Sequence, residues 1–193
     1  MKAKFLVCII GGSGSGKSTL EDGIIIHDGF SKVVSTTTRD RRDGEHTGRE
    51  YHFVDVESFI NLQKNNELLE HINFAGNYYG ITKSEFDKNA DNLVLVVEPN
   101  GYMQILKYIK ENNINITPIV IFMDISEKER FKNMIKRGDN PITIQERLKS
   151  ETIVQDFKKF GIVPNIKVTK LNNSTTETIM EDIYLLFEKN SIG

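Results

Sequence analysis

The hydrophobic pattern changes period along this chain. Lys4 to Ile10 is short, continuously apolar after its first residue and closed by glycines, which predicts a fully buried strand. Leu93 to Val97 and Thr117 to Met123 repeat that pattern, and Ile166 to Val168 is a shorter candidate. Helical segments lie between them. Thr19 to about Ile26 predicts a brief helix, cut short by Gly23, and Pro99 opens one to about Asn112. Ser126 with Glu129 forms a capping box for a helix ending at Arg137-Gly138. Asp139-Asn140-Pro141 then breaks the chain, Thr143 with Glu146 starts a helix through about Phe160, and Thr175 to Glu188 predicts a closing amphipathic helix. Strand and helix alternating in this way indicate an α/β fold with a parallel sheet flanked by helices.

The stretch between the first two long runs reads differently. Lys32 to Ser35 is a short strand leading into a polar, arginine-dense segment. Tyr51 to Val54 predicts a strand, and Asp55 caps a helix to about Asn65. Leu68 to Phe74 and Tyr78 to Ile81 flank Gly76-Asn77, a dipeptide suited to a tight hairpin turn. Thr82 with Glu85 is a further capping box. Residues 51–81 thus form a small β-rich insertion with one helix, and a basic helical hairpin is expected near 130–150.

Composition changes this picture little. With 193 residues the chain is long enough for one domain with a full core, and a net charge of −2 gives no global attraction to nucleic acid or anionic membrane. The single cysteine, Cys8, lies in the first apolar run and cannot form an internal disulfide, which fits a reducing compartment. The first apolar run is too short for a secretory or membrane-spanning segment, so a cytoplasmic protein is expected.

Chemistry enters directly after the first strand. Gly11-Gly12-Ser13-Gly14-Ser15-Gly16-Lys17-Ser18-Thr19 satisfies the spacing G-x-x-x-x-G-K-[ST] of a phosphate-binding loop. Glycines let the backbone turn tightly enough for its N–H groups, from Gly12 to Thr19, to wrap a phosphate chain. Lys17 supplies a point charge for the β- and γ-phosphates, Ser18 offers a hydroxyl to Mg²⁺, and the following helix aims its positive end at the anion.

A second stretch is more specific. Ser35 to Val54, reading S-T-T-T-R-D-R-R-D-G-E-H-T-G-R-E-Y-H-F-V, closely resembles the segment that binds the acceptor nucleotide in guanylate kinases. Glu67-Leu68-Leu69-Glu70, Gly76-Asn77-Tyr78-Tyr79-Gly80, Arg137-Gly138 and Arg147-Leu148 extend the resemblance in collinear order over nearly the whole chain. It implies a P-loop NTPase-type sheet in one domain, 1–193. The core would be 1–34, 92–125 and 161–193, the acceptor-binding subdomain 35–91 and the helical lid about 126–160. It implies transfer of the γ-phosphoryl group of ATP to GMP or dGMP, with Mg²⁺, by a monomer or homodimer acting on small nucleotides.

The residue types suit those roles. Arg39 and Arg42 offer planar forks to phosphate oxygens, and Tyr51 and Tyr79 add hydroxyl donors. Glu70, acceptor-only when ionised, can take the two guanine donors while the Ser35 hydroxyl gives a hydrogen bond to the guanine oxygen. The resemblance makes Arg137 and Arg147 lid residues that close on the phosphates beside Lys17 and Arg39, and gives Asn172 as the adenine-side contact. The competing reading is a self-paired charged loop, because Arg39, Arg41 and Arg42 alternate with Asp40, Asp43 and Glu45, and Glu70 alternates with apolar neighbours as a solvent-facing residue would.

Several positions depart from the family pattern. Val96-Val97-Glu98-Pro99-Asn100-Gly101 stands where D-I-D-x-Q-G is usual, so Glu98 replaces one acid and Val96 the other. Ile81 stands where a small hydroxyl residue often follows Tyr-Gly, and Asn133 replaces a lid arginine. These departures leave open a kinase with altered acceptor choice. A non-catalytic binding module of the same fold is the further alternative, although the intact Lys17-Ser18 argues against it. A plain ATPase or motor would leave the residues from Ser35 to Tyr79 without a purpose.

Overall fold

A computed structural model describes residues 4–27, 29–74, 76–87, 92–170 and 175–191. Its centre is a five-stranded sheet of β1 (Phe5–Gly11), β2 (Phe30–Lys32), β7 (Asn92–Val96), β8 (Thr117–Met123) and β9 (Ile166–Val168), in the order β2-β7-β1-β8-β9. All its pairings are parallel, with Val7 opposite Val94 on one side and Ile119 on the other. A parallel sheet is stable only when both faces are covered. Here Leu6, Cys8 and Ile10 face one core with Leu93, Leu95 and Ile105, while Val7 and Ile9 face the other with Leu20, Ile24 and Ile183.

Helices α1 (Lys17–Ile24), α4 (Pro99–Glu111), α5 (Glu127–Lys136), α6 (Pro141–Ser150), α7 (Ile153–Phe160) and α8 (Thr175–Ser191) supply the cover and the overhanging hairpin. The single long helix expected from Thr143 to Phe160 is instead two. Asn140 accepts the N–H of Ile142 and Pro141 takes the first helical position, so the helix starts two residues early; Glu151 is extended (ψ 128°) and ends it.

The residues from 36 to 82 build a second sheet. Its strands β3 (Thr36–Thr37), β4 (His52–Phe53), β5 (Leu68–Phe74) and β6 (Asn77–Thr82) lie in the order β4-β3-β6-β5, with α2 (Val56–Lys64) packed on β6 and α3 (Lys83–Phe86) closing the segment. The strand expected at Lys32 to Ser35 falls elsewhere: β2 ends at Lys32, and β3 opens at Thr36 in the other sheet. The Tyr51 to Val54 strand shrinks to two residues. Asn77 belongs to β6, and Gly76 takes the left-handed conformation (φ 78°).

A bulge in β5 sets the direction of Glu70. Leu68 pairs with Thr82 but Glu70 with Ile81, so one residue is extra between Leu68 and Glu70. Leu69 enters the core, and Glu70 is buried too, at 5% exposure, against the expectation that simple alternation leaves it in solvent.

Candidate functional site

The loop after β1 is shaped by two left-handed glycines. Gly14 (φ 76°) and Gly16 (φ 90°) turn the chain so that α1 begins at Lys17 with no side-chain cap. The first turn of α1 therefore keeps unpaired N–H groups at its positive end, which suits an anion. Lys17 Nζ donates to the carbonyls of Gly11 at 2.5 Å and Gly12 at 3.0 Å. Burial pulls its pKa below the ordinary lysine value, and the carboxylates of Glu98 and Glu151 oppose that pull. The Ser15 hydroxyl is buried without a hydrogen-bond partner.

Facing this loop, the segment between β3 and β4 presents the arginines. Arg39, 9% exposed, is held by both oxygens of Glu45 at 2.8 and 2.9 Å, with the rings of Tyr51 and Phe53 about its guanidinium at 5.4 and 5.5 Å. Arg42 lies 3.8 Å from Glu45 and 3.9 Å from Asp139. The self-paired loop read from the sequence is thus present, and the same arginines also line the cavity. Tyr51 stands edge-on to Tyr79, and burial first of all pushes its hydroxyl up to about 12, so it remains a neutral donor at ordinary pH.

Glu70 closes the inner end. A Cβ added to Gly101 in the first turn of α4 would lie 2.6 Å from Glu70 Oε2, so only glycine lets the helix approach this carboxylate. Burial, and then the neighbouring charge of Glu98, raise the Glu70 carboxyl to about 8, while the backbone of Ile81 works in the opposite direction. Glu98, at the N-cap of α4, is raised by burial as well, and Lys17 counters it. Ile81 itself is fully buried in the core.

From the turn between α5 and α6, Asp139 gathers three arginines: Arg137 at 2.5 Å, Arg147 at 3.7 Å and Arg42 across the cavity. Burial raises its carboxyl, but the Arg137 hydrogen bond and the arginine charges outweigh that and hold it below the usual range. The Nε of Arg147 is buried and unpartnered.

These groups share one cavity of about 480 Å³. It is lined by Ser13 to Thr19, Ser35, Arg39, Arg42, Tyr51, Glu70, Tyr79, Glu98, Arg137 and Arg147. Gly12 borders a neighbouring cavity of about 270 Å³ instead. Asn172 lies outside the described residues. Sequence reasoning missed the roles of Asp139 and of the pair Arg130 and Glu151 beside Gly12. A signal existed for one of these: Arg130 is one helical turn before Asn133, on the helix face that meets the loop.

Among the described residues there is no group of three or more acidic, histidine or cysteine side chains able to enclose a metal, and no helix is long and apolar enough to cross a membrane. The arrangement is suited to holding two anionic groups between fixed cations, with a carboxylate-lined recess at one end.

Known proteins share this chain's pattern. The family model for guanylate kinase matches residues 3–186. The guanylate kinase of Clostridium tetani is 32% identical over 93% of this chain and 83% of its own length. That of Mycoplasmoides gallisepticum is 33% identical over 97% and 94%. The crystal structure of guanylate kinase from Anaplasma phagocytophilum superposes with a TM-score of 0.65 at 21% identity, covering all of this chain and 89% of that one.

Proposed function

Since the chain belongs to the guanylate kinase family, we propose a division of labour among its own residues for the ATP-dependent phosphorylation of GMP. The observation that carries the assignment is the single cavity joining the Lys17 loop to Arg39, Tyr51 and Glu70. The loop from Ser13 to Thr19 binds the phosphates of ATP through its N–H groups. Lys17 neutralises the outer phosphates. Arg39, Arg42, Tyr51 and Tyr79 hold the acceptor monophosphate, whose oxygen is the nucleophile. It is already anionic, so positioning and charge neutralisation suffice and no general base is required.

At the other end, Glu70 in its ionised form accepts the two guanine donors and Ser35 donates to the guanine oxygen, with Glu98 beside them. Adenine offers one donor on this edge where guanine offers two, and a site built for a polar group that the competitor lacks discriminates on the order of 10⁴-fold. Arg137 and Arg147 move from Asp139 to the transferring phosphoryl group as the lid closes and water is excluded.

Ser18 lies exposed to the cavity directly after Lys17. A hard cation that keeps most of its waters asks for few protein oxygens, so this hydroxyl with the ATP phosphates fits Mg²⁺. When bound beside Ser18, Mg²⁺ would supply positive charge that offsets the negative charge of the phosphates. The fully buried Cys8 thiol, raised far above its ordinary pKa by burial, is inert as a redox group and compatible with the cytoplasm.

The test is phosphoryl transfer from Mg-ATP to GMP, dGMP, AMP, CMP, UMP and dTMP, with ATP alone as control. GMP or dGMP should turn over far faster than the rest. Equal rates for AMP would remove Glu70 and Ser35 from the base site, and hydrolysis without transfer would remove the acceptor assignment.

A further inference from the structure

Two buried charges beside the phosphate loop have no part in holding either nucleotide as assigned so far. Arg130 of α5 is 12% exposed and Glu151, at the break between α6 and α7, is 9% exposed. They pair with each other through Arg130 Nη1 and Glu151 Oε2. The other carboxylate oxygen, Oε1, accepts the backbone N–H of Ser13 at 2.6 Å. The guanidinium of Arg130 lies over Gly12, where a Cβ would overlap it. One turn on, Asn133 Nδ2 donates to the Gly14 carbonyl at 2.8 Å. Helix α5 and the break between α6 and α7 are therefore both seated on residues 12 to 14.

A phosphate loop offers its N–H groups to anions, and here one of them is taken by an anion of the protein itself. The position of Lys17 tells which phosphate should compete for it. Lysine in this motif reaches the β- and γ-phosphates, and Lys17 Nζ rests on the carbonyls of Gly11 and Gly12. The Gly12-Ser13 shoulder is thus the end of the loop nearest the terminal phosphate, while the first turn of α1 faces the inner ones.

We propose that Glu151 is a tethered competitor of the terminal phosphate of ATP for the Ser13 N–H, and that Arg130 passes from Glu151 to that phosphate when ATP binds. The inference rests on the ATP-dependent reading and adds two positioning residues to it. ATP displaces the carboxylate and gains a guanidinium already desolvated at the loop. ADP, lacking the terminal phosphate, leaves the pair closed. The ratio of ATP to ADP affinity then belongs to Arg130 and Glu151, and Arg130 supplies a lid cation one turn from Asn133, which carries no charge.

A plain structural pin would make the same contacts, so the test must separate the two. Calorimetric titration of the full chain with a non-hydrolysable ATP analogue and with ADP does this. Glu151→Gln keeps the shape and removes the competing charge. It should bind the ATP analogue about tenfold more tightly and ADP within about twofold of the unaltered protein, the size expected for freeing one charge-assisted hydrogen bond. Arg130→Gln should weaken the ATP analogue by about tenfold and again spare ADP. Thermal melts identify any variant that fails to fold, and either variant alone decides the question. An unchanged ATP-to-ADP ratio in a folded variant, even with a lowered melting temperature, overturns the competitor role and leaves the kinase reading standing. Failure of the unaltered protein to bind either nucleotide would overturn both.

Discussion

Glu70 shows how one buried side chain couples binding to protons. In the ligand-free protein its carboxyl is raised from the ordinary 4.5 to about 8, chiefly by burial and then by Glu98, so at pH 7 it is mostly neutral. Guanine presents two donors and therefore needs the ionised form. GMP binding at pH 7 should release close to one proton, read by calorimetry in two buffers of different ionisation enthalpy, and Glu70→Gln should abolish the release. Affinity for GMP should rise about tenfold per pH unit toward pH 8 and level off above it. Stability carries the opposite sign. A raised carboxyl favours the fold most below pH 4.5, and that contribution is lost as pH rises through about 8. Glu70→Gln should therefore melt progressively higher than the unaltered protein between about pH 5 and 8.5, and a constant difference would exclude Glu70 as the titrating group. Lys17 gives a simpler expectation. Its ammonium is the charge held at the loop, so Lys17→Ala should lower the transfer rate by at least about a hundredfold while the melting temperature stays within a few degrees.

At the scale of elements, helix α4 is the part that fixes the Glu70 recess, the proposed base site. Its glycine, Gly101, lets the first turn sit against both Glu70 and Val97, since a Cβ at this position would lie only 2.6 Å from the former and 2.8 Å from the latter. Gly101→Ala should push Glu70 out of place, raising KM for GMP while leaving KM for ATP unchanged. It should cost about 1–3 kcal/mol in stability, as overpacking of a tight contact does. Equal changes in both KM values would show the helix acting on the whole site. The strands of the main sheet were legible from the sequence because buried parallel strands are short apolar runs; Thr117–Met123 and Ile166–Val168 have the bounds their patterns predict. The phosphate loop was legible because its parts are contiguous. The second sheet was harder: β3 and β4 are two residues each and are held by pairings with distant partners, Thr36 with Gly80 and with His52. The same limit hid Asp139, Arg130 and Glu151, whose contacts join distant segments; Glu70 was legible as a candidate from its motif, but its burial follows from a bulge that alternation does not reveal.

For the whole molecule, the question is what holds the cavity's two sides together before any substrate arrives. Arg42 lies on the side proposed for the acceptor, Arg137 and Arg147 on the α5–α6 hairpin proposed as a lid, and Asp139 lies within 3.9 Å of all three. One carboxylate thus stands among the cations proposed to hold the phosphates, and it offsets the mutual repulsion of three guanidiniums across the cavity. The contact to Arg42 is long and partly exposed, so it is weak individually and sensitive to salt. In the proposed reaction the substrates bring more negative charge than Asp139 can offer, and the arginines would exchange partners as the lid closes. Asp139→Asn removes the stand-in but not the substrates. The ligand-free variant should therefore be more expanded than the unaltered protein in small-angle X-ray scattering, and high salt should expand the unaltered protein in the same way. With GMP and a non-hydrolysable ATP analogue bound, the two proteins should scatter alike, because the phosphates then carry the charge that Asp139 supplied. Identical scattering of the two ligand-free proteins would show that packing of the lid on the phosphate loop, and not Asp139, sets the separation.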